Sequence, residues 1–269
     1  MELYNTLKNK PFIIAGPCAM EGREMALELA EQLKSICEEN GFTYIFKASF
    51  DKANRTSHSS YRGLGIEQCL DVFEEIKDKF NVPVISDIHE SYQASKVAGV
   101  LDIIQIPAFL CRQTDLLKAA AETGKIINIK KAQFLSAADM KNVLDKMRAF
   151  GNEKLLLTER GTSFGYNNLV VDYTGVMEMQ TFGVPVVMDA THSVQKPGGL
   201  GGKSGGNREY APYMAYAAAA VGVRGFFFEV HQNPEKALSD GPNMIYLNKF
   251  KGVATKLNKF LSSYNHVEL

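Results

Sequence analysis

The chain of 269 residues is 45% hydrophobic and 22% charged, which is typical of a globular protein with a sizeable core. Thirty basic and thirty acidic side chains give a formal net charge of +0, and this balance argues against a nucleic-acid or membrane partner. The first ten residues lack the apolar core of a signal peptide, and no apolar run is long enough to cross a bilayer. We therefore expect a cytoplasmic protein whose four cysteines stay thiols.

Short apolar runs alternate with segments of helical spacing along the whole chain. The predicted strands are 11–15, 44–48, 82–87, 102–106, 125–130, 154–159, 184–189 and 225–229. The predicted helices are 24–38, 65–80, 92–98, 114–121, 137–148, 210–221 and a last one that ends near Leu261. Eight such units in a chain of this length, without a composition shift, predict an α/β fold: a single-domain (β/α)8 TIM barrel over residues 1–269.

In such a barrel the carboxyl ends of all strands meet at one mouth, where active sites lie. Nearly every predicted strand is followed there by a polar or charged residue. These residues are Cys18, Lys47, Lys52, Arg55, Asp87, Gln105, Lys130, Glu159, Arg160, Asp189, His192 and Glu229. Because scattered surface charges would fall on helices as often as at strand ends, the clustering predicts a binding site at the mouth.

The segment 47–57, which follows the second strand, is dense in cations and hydroxyls. Lys47, Lys52 and Arg55 fall within nine positions, with short polar side chains between them. Such groups suit a phosphate because they supply charge together with directed hydrogen bonds. The alternative is a solvated basic turn, which we favour less because the same pattern recurs at later strand ends.

Four residues near the strand ends could bind a metal ion: Cys18, His192, Glu229 and, beyond the eighth strand, Asp240. A thiolate, an imidazole and carboxylates together suit Zn2+, Fe2+, Co2+ or Mn2+ better than Mg2+. Because the four are far apart in sequence, a second interpretation stays open, in which the cysteine is a buried structural residue and the histidine belongs to the core.

The other cysteines and histidines are weaker candidates. Cys37 and Cys69 are predicted to pack on helix faces, and Cys111 lies near the mouth without an evident ligand partner. Three histidines are placed in loops as candidates for contact with substrate: His58, His89 and His231.

The glycine-rich segment 196–206 resembles a nucleotide-binding loop at first sight. The match fails because Pro197 occupies the position of the first glycine of a GxxxxGKS loop. We predict instead a mobile lid after the seventh strand, since glycine lowers the cost of opening and closing.

Five blocks of sequence resemble one known family. They are residues 13–18, FKASFDKANR at 46–55, QIPAFLCRQTD at 105–115, ERG at 159–161 and DATHSVQ at 189–195. The chain resembles the 3-deoxy-D-manno-octulosonate 8-phosphate synthases from about Ile13 to Asp240. The resemblance implies condensation of phosphoenolpyruvate with D-arabinose 5-phosphate and water, with release of inorganic phosphate, in the synthesis of a lipopolysaccharide sugar.

The resemblance also implies roles for individual residues. Phosphoenolpyruvate would be held by Lys47, Lys52, Lys130 and Arg160. Arabinose 5-phosphate would be held by Asn54, Arg55 and Ser57, and by Arg112 from a neighbouring subunit of a homotetramer. With the residues at the mouth, the predicted catalytic set is Lys47, Lys52, Asn54, Asp87, Lys130 and His192. The predicted substrate-binding set is Lys47, Ser49, Lys52, Asn54, Arg55, Ser57, Gln105, Arg112, Lys130 and Arg160.

The family divides by the residue at position 18. Metal-independent members have asparagine there, so Cys18 resembles the metal-dependent branch, with His192, Glu229 and Asp240 completing the site. The chain departs from the family pattern at Gly22, where serine is usual, and at Gln232-Asn233, where a Pro-acidic pair is usual. Neither departure replaces a proposed ligand.

Two other functions are compatible with parts of this pattern. The related synthase that uses erythrose 4-phosphate typically has Lys-Pro-Arg-Thr where this chain has Lys52-Ala53-Asn54-Arg55-Thr56, so Asn54 favours the pentose phosphate. A non-catalytic phosphate-sensing barrel would not need all four candidate ligands together with the cations, because unused buried charges are costly.

Overall fold

The computed structural model describes residues 2–55, 57–198 and 205–264. Its central strands are β1 (Phe12–Gly16), β2 (Thr43–Lys47), β3 (Val84–Asp87), β4 (Ile103–Ile106), β5 (Ile126–Lys130), β6 (Leu155–Glu159), β7 (Val186–Asp189) and β8 (Gly225–His231). They are parallel and paired in chain order. Because β8 also pairs with β1, the sheet is closed, and the predicted (β/α)8 TIM barrel is confirmed.

The helices of the described chain are α1 (Glu2–Asn9), α2 (Arg23–Glu39), α3 (Ile66–Phe80), α4 (Ser91–Val97), α5 (Thr114–Glu122), α6 (Asp139–Ala149), α7 (Tyr173–Gln180), α8 (Ala211–Ala220) and α9 (Leu247–Tyr264). One helix follows each strand, from α2 after β1 to α9 after β8. Within the described residues, no helix has an apolar stretch of the length needed to span a membrane.

Both faces of the barrel strands are buried, which explains why the strands read as continuous apolar runs. In β1, Phe12 and Ile14 join a cluster inside the barrel, whereas Ile13 and Ala15 pack in the layer between sheet and helices. Because side chains alternate along a strand, each apolar run stabilises two separate cores.

Two helices were not predicted from the sequence pattern. The first, α1, closes the amino-terminal end of the barrel: Leu7 is 1% exposed, and Leu3 and Tyr4 pack beside it. The second, α7, carries Gly175, which weakens a helix prediction. A Cβ there would lie 2.9 Å from Asp172 Oδ2 and 3.1 Å from Ala137 Cβ, so close packing explains the glycine.

Several short paired segments lie at the mouth. Thr162–Ser163 pairs with Leu169–Val170, and Gln195–Lys196 pairs with Gly205–Gly206, both antiparallel. The second pair forms the base of the predicted lid, whose residues 199–204 lie outside the described part of the chain.

The prediction that His231 lies in a loop is wrong, because His231 is the last residue of β8. The strand runs two residues past its predicted end at Glu229, since Val230 and His231 pair with Ile245 and Tyr246.

Candidate active site and metal centre

The side chains that point into the barrel change from apolar to polar along the strands. Its apolar layer consists of Phe12, Ile14, Ile45, Ile85, Ile103, Ile126, Leu156, Val187 and Phe227. Because residues two apart on a strand share a face, the next inward positions form a polar layer towards the mouth. This polar layer consists of Lys47, Asp87, Gln105, Asn128, Lys130, Thr158, Asp189 and Glu229, all of them buried.

A cavity of about 820 Å³ opens at the mouth above this layer. Its lining contains most of the predicted site residues: Cys18, Lys47, Lys52, Asn54, Arg55, Asp87, Gln105, Lys130, Arg160, His192 and Asp240. Two predicted residues, Ser49 and Glu229, are fully buried and are not part of the cavity lining. Two others, Ser57 and Arg112, are not part of the lining.

The ends of β5 and β6 supply two cations to the cavity. Lys130 Nζ lies 2.5 Å from Asp189 Oδ2, and Arg160 Nη2 donates to Gln195 Oε1 at 2.7 Å. Burial lowers the pKa of Arg160, although the guanidinium stays charged at any ordinary pH. Arg160 Nη1 is buried and has no hydrogen-bond partner among the described residues. Since an unpaired buried donor is costly, this position suits an anionic ligand.

The end of β2 and the loop after it supply two further cations, Lys47 and Lys52, and both lie near Glu229. Lys47 Nζ is 3.8 Å and Lys52 Nζ is 3.9 Å from Glu229 Oε1. Burial, and then the charge of Lys52, lower the pKa of Lys47. Burial has the same tendency at Lys52, but the negative charges of Glu229 and Asp87 raise its pKa above the usual value. Because two ammonium groups share one carboxylate, the positive charge here is in excess and suits an anionic ligand.

Asp87, which was predicted to be catalytic, accepts hydrogen bonds from two neighbours. Ser49 Oγ donates to Asp87 Oδ1, and His89 Nε2 lies 3.1 Å from Asp87 Oδ2. Lys47 donates to Ser49 Oγ and to the carbonyl oxygen of Cys18, both at 3.0 Å. Burial would raise the pKa of Asp87, but the His89 hydrogen bond and the charge of Lys47 hold it well below its usual value. Asp87 is therefore an ionised acceptor that fixes the orientation of Lys47 through Ser49.

Three of the four predicted metal ligands come together. One ligand atom each from His192, Glu229 and Asp240 lie within 4.8 Å of one another. His192 Nε2 is 3.4 Å from Glu229 Oε1 and 3.8 Å from Asp240 Oδ2. The other ring nitrogen, Nδ1, lies 2.8 Å from Asp189 Oδ2, which is the usual outer partner of a metal-binding histidine.

The chemistry of this group fits a cation. Both carboxylate oxygens of Glu229 are buried without a hydrogen-bond partner among the described residues. Burial and the charge of Glu229 raise the pKa of Asp240 above its usual value. A divalent ion between the two carboxylates would remove this repulsion and satisfy the unpaired oxygens.

Cys18 lines the same cavity, but its sulfur is not part of that group of three. The thiol donates to Ser239 Oγ at 3.1 Å. Burial and the charge of Glu229 raise the pKa of Cys18 to about 12, so the sulfur is a neutral thiol in this arrangement. Cys18 as a fourth ligand stays a prediction.

Two residues without a role predicted from the sequence, Ser239 and Gln195, connect parts of the site. Ser239 accepts a hydrogen bond from Arg55 Nη1 at 2.6 Å and thereby joins Arg55 to Cys18. Gln195 contacts both Arg160 and Asp240. The only signal for either was position, since Ser239 precedes Asp240 and Gln195 ends the DATHSVQ block.

Two residues predicted to bind the sugar phosphate lie away from the cavity of their own chain. Ser57 Oγ forms a hydrogen bond with Ser59 Oγ at 3.0 Å. The exposed Arg112 lies with its Cζ 5.7 Å from the centre of the Phe134 ring. The role of Arg112 in the site of another subunit stays a prediction.

Comparison with known proteins places the chain in a family. The model of the DAHP synthetase I family matches residues 5–264. A relative from Cyanothece sp. is 56% identical over 92% of this chain and 91% of its own. Others are from Fusobacterium nucleatum subsp. nucleatum, with 56% identity over 91% and 88%, and Nitratidesulfovibrio vulgaris, with 54% identity over 98% and 97%. All three are named 2-dehydro-3-deoxyphosphooctonate aldolase, a synonym of the synthase that the sequence blocks resemble, so the resemblance is confirmed. The chain belongs to the DAHP synthetase I family.

Proposed function

We propose that this protein condenses phosphoenolpyruvate with D-arabinose 5-phosphate and water to give 3-deoxy-D-manno-octulosonate 8-phosphate and inorganic phosphate. One observation carries the proposal. A single cavity receives cations from opposite sides of the barrel, Lys52 and Arg55 after β2 and Lys130 and Arg160 at β5 and β6. The shared name of the relatives supports the same activity and gives no support to the erythrose 4-phosphate alternative.

The charge of the substrates explains the residue types. Two phosphorylated substrates bring about four negative charges into one pocket, and their repulsion needs several fixed cations. We assign Lys130 and Arg160, with the unpaired Nη1 of Arg160, to the phosphate of phosphoenolpyruvate. We assign Asn54 and Arg55 to the sugar phosphate, because both line the cavity on the β2 side.

The proposed reaction forms a carbon–carbon bond and breaks a carbon–oxygen bond. Carbon 3 of phosphoenolpyruvate attacks the aldehyde carbon of the sugar, water adds at carbon 2, and phosphate leaves from the resulting tetrahedral carbon. Lys130 and Arg160 stabilise the charge of the departing phosphate. Phe227, with its ring centre 4.0 Å from Lys130 Nζ, limits the movement of that ammonium group.

We also propose that the centre formed by His192, Glu229 and Asp240, with Cys18 as fourth ligand, binds Zn2+, Fe2+, Mn2+ or Co2+. Such an ion supplies Lewis acidity that would orient and polarise the aldehyde. Asp189 holds His192 so that Nε2 faces the two carboxylates, and a histidine used in this way is not free to act as a general base. The homotetramer and the cytoplasmic location stay predictions.

Phosphate release tests the activity. The protein is mixed with phosphoenolpyruvate and either arabinose 5-phosphate or erythrose 4-phosphate, with each candidate metal present. We expect release with the pentose phosphate. Release with erythrose 4-phosphate alone would indicate the related synthase, and release with neither sugar would leave the phosphate sensor.

Removal of the metal tests the centre separately. A chelator should abolish phosphate release, and added Mn2+, Fe2+, Co2+ or Zn2+ should restore it to differing extents, because their preferred geometries differ. Metal analysis of the stripped protein serves as the control. Full activity of protein shown to be free of metal would contradict the ligand assignment.

A further inference from the structure

Gln195 lies between the two halves of the proposed site. Its Oε1 accepts from Arg160 Nη2 at 2.7 Å, and its Nε2 donates to Asp240 Oδ2 at 2.7 Å. One amide therefore contacts both a cation assigned to phosphoenolpyruvate and a carboxylate assigned to the metal ion.

The chemistry of the neighbours fixes the orientation of this amide. A guanidinium can only donate, so the amide oxygen must face Arg160. An ionised carboxylate can only accept, so the amide nitrogen must face Asp240. Rotation of the amide by half a turn would place two donors together and two acceptors together, and it is therefore disfavoured.

Arg160 and Asp240 differ in how much other support they have. Among the described residues, Gln195 is the one hydrogen-bond acceptor for the side chain of Arg160. Asp240 has a second amide partner, because Asn243 Nδ2 donates to Asp240 Oδ1 at 2.9 Å. The two oxygens of Asp240 are thus held by Gln195 and Asn243, whereas Arg160 depends on Gln195.

The backbone around Gln195 is itself held in place. Gln195 pairs with Gly206 in the short antiparallel ladder at the mouth. Asn243 packs against the same Gly206, where a Cβ would come within 1.6 Å of Asn243 Oδ1. Because Gly206 has no side chain, the amides of Gln195 and Asn243 can both lie next to it and reach Asp240.

We infer that Gln195 is a positioning residue that directs Arg160 towards the phosphate of phosphoenolpyruvate and Asp240 towards the metal ion. This inference rests on the proposed function. It adds that the two binding sites share one side chain, so that a single substitution weakens both.

The test compares Gln195→Met with Asn243→Ala. The dissociation constant of phosphoenolpyruvate is measured calorimetrically on metal-free protein, and that of Co2+ by competition with a chromogenic chelator. Gln195→Met should raise both constants about tenfold, because it removes hydrogen bonds to two charged groups. Asn243→Ala should raise the Co2+ constant about tenfold and change the phosphoenolpyruvate constant less than about threefold, because Asn243 supports Asp240 without contacting Arg160.

A matched control is Gln180→Met, at a half-buried glutamine at the opposite end of the barrel, which should change neither constant. A Gln195→Met protein with either constant unchanged would overturn the inference. So would an equal rise in the Michaelis constant for arabinose 5-phosphate, because that would indicate a general distortion of the mouth. Wild-type protein that binds neither phosphoenolpyruvate nor Co2+ would instead defeat the proposed function.

Discussion

The two layers inside the barrel are both buried, but one is apolar and stabilises the fold, whereas the other carries polar and charged groups. The apolar layer is filled by aliphatic and aromatic side chains and closed by Leu7 of α1. The polar layer, two residues further along the strands, contains Lys47, Lys130, Asp189 and Glu229 and lies beneath an open cavity. The same eight strands therefore provide a stabilising core at one end and a charged surface beneath a cavity at the other.

The difference shows where stability and function are separated in this fold. Burying apolar area contributes about 25 cal/mol per Å² to folding, whereas buried charges lose hydration that their ion pairs only partly offset. Lys130 pairs with Asp189, and Lys47 with Glu229. Both oxygens of Glu229 nevertheless lack a hydrogen-bond partner among the described residues, so the offset is incomplete without ligands. Substitutions at the two ends should therefore have different signatures.

The largest effect is expected in the polar layer, from Lys130→Met. The substitution removes a cation that we assign to the phosphate of phosphoenolpyruvate, and it leaves Asp189 with one positive neighbour fewer. We expect kcat/KM to fall by about 1000-fold or more, with a loss of about 3 kcal/mol in the free energy of unfolding. Steady-state kinetics and urea unfolding measure the two effects. Lys125→Met, at the other end of β5, is the control; a Lys130→Met enzyme with a tenth of normal activity would refute the assignment.

Leu7→Ala tests the apolar layer. Leu7 is 1% exposed, and its removal leaves a cavity at the closed end of the barrel. We expect the free energy of unfolding to fall by about 3 kcal/mol, while kcat/KM of the folded protein changes less than about twofold. Lys8→Ala on the same helix controls for helix propensity. A large loss of activity in folded Leu7→Ala protein would show that the two layers are not independent.

Arg112→Ala tests whether the mouth is completed from outside the chain. Arg112 is exposed and does not line its own cavity, so the predicted role in sugar binding requires a neighbouring subunit. We expect the Michaelis constant for arabinose 5-phosphate to rise about tenfold, equivalent to about 1.4 kcal/mol, while that for phosphoenolpyruvate stays nearly constant. Kinetics are compared with Arg224→Ala at the closed end. An unchanged constant for the sugar would reject the cross-subunit role.

The smallest effect is expected from Asp172→Ala, outside both layers. Asp172 begins α7 and accepts from Thr174 N at 3.0 Å and Thr174 Oγ1 at 2.6 Å. Loss of this cap should cost about 1 kcal/mol at pH 7. The Thr174 hydrogen bonds lower the pKa of Asp172, so the contribution is fully present above the unfolded pKa of about 3.9. It is lost as the pH falls through the lower folded value.

Urea unfolding of wild-type and Asp172→Ala protein at pH 7 and at pH 3 measures this contribution. The difference should be smaller at pH 3, and an equal difference at both values would show that the charge of Asp172 is irrelevant. Because Asp172 is exposed and lies outside both layers, we expect its protonation to leave the apolar and the polar layer of the barrel unchanged.

Much of the fold could be predicted because the strands are buried on both faces. In β5 (Ile126–Lys130), for example, every position is apolar except the last two inward ones, Asn128 and Lys130, and this pattern is visible without coordinates. α1 and α7 were missed for a physical reason, since they are short and their role depends on contacts with distant residues. Gly175, for instance, is explained by its approach to Ala137.

Prediction of the site had a similar limit. Polar residues at strand ends indicated which side chains reach the mouth, and eleven of the predicted residues line the cavity. The sequence could not show that Cys18 forms a hydrogen bond with Ser239, or that Gln195 forms hydrogen bonds with both Arg160 and Asp240. Those contacts are between loops that follow different strands, and their geometry depends on how the barrel closes.

By itself, the sequence determined the eight-unit barrel and the family, and it predicted the mouth as the place of chemistry, because strand periodicity and motif identity are local properties. Only the tertiary structure decided which groups meet: His192 with Glu229 and Asp240, Arg160 with Gln195, and Arg112 with no part of its own cavity. Those outcomes depend on distances between residues far apart in the chain, which are set when β8 pairs with β1.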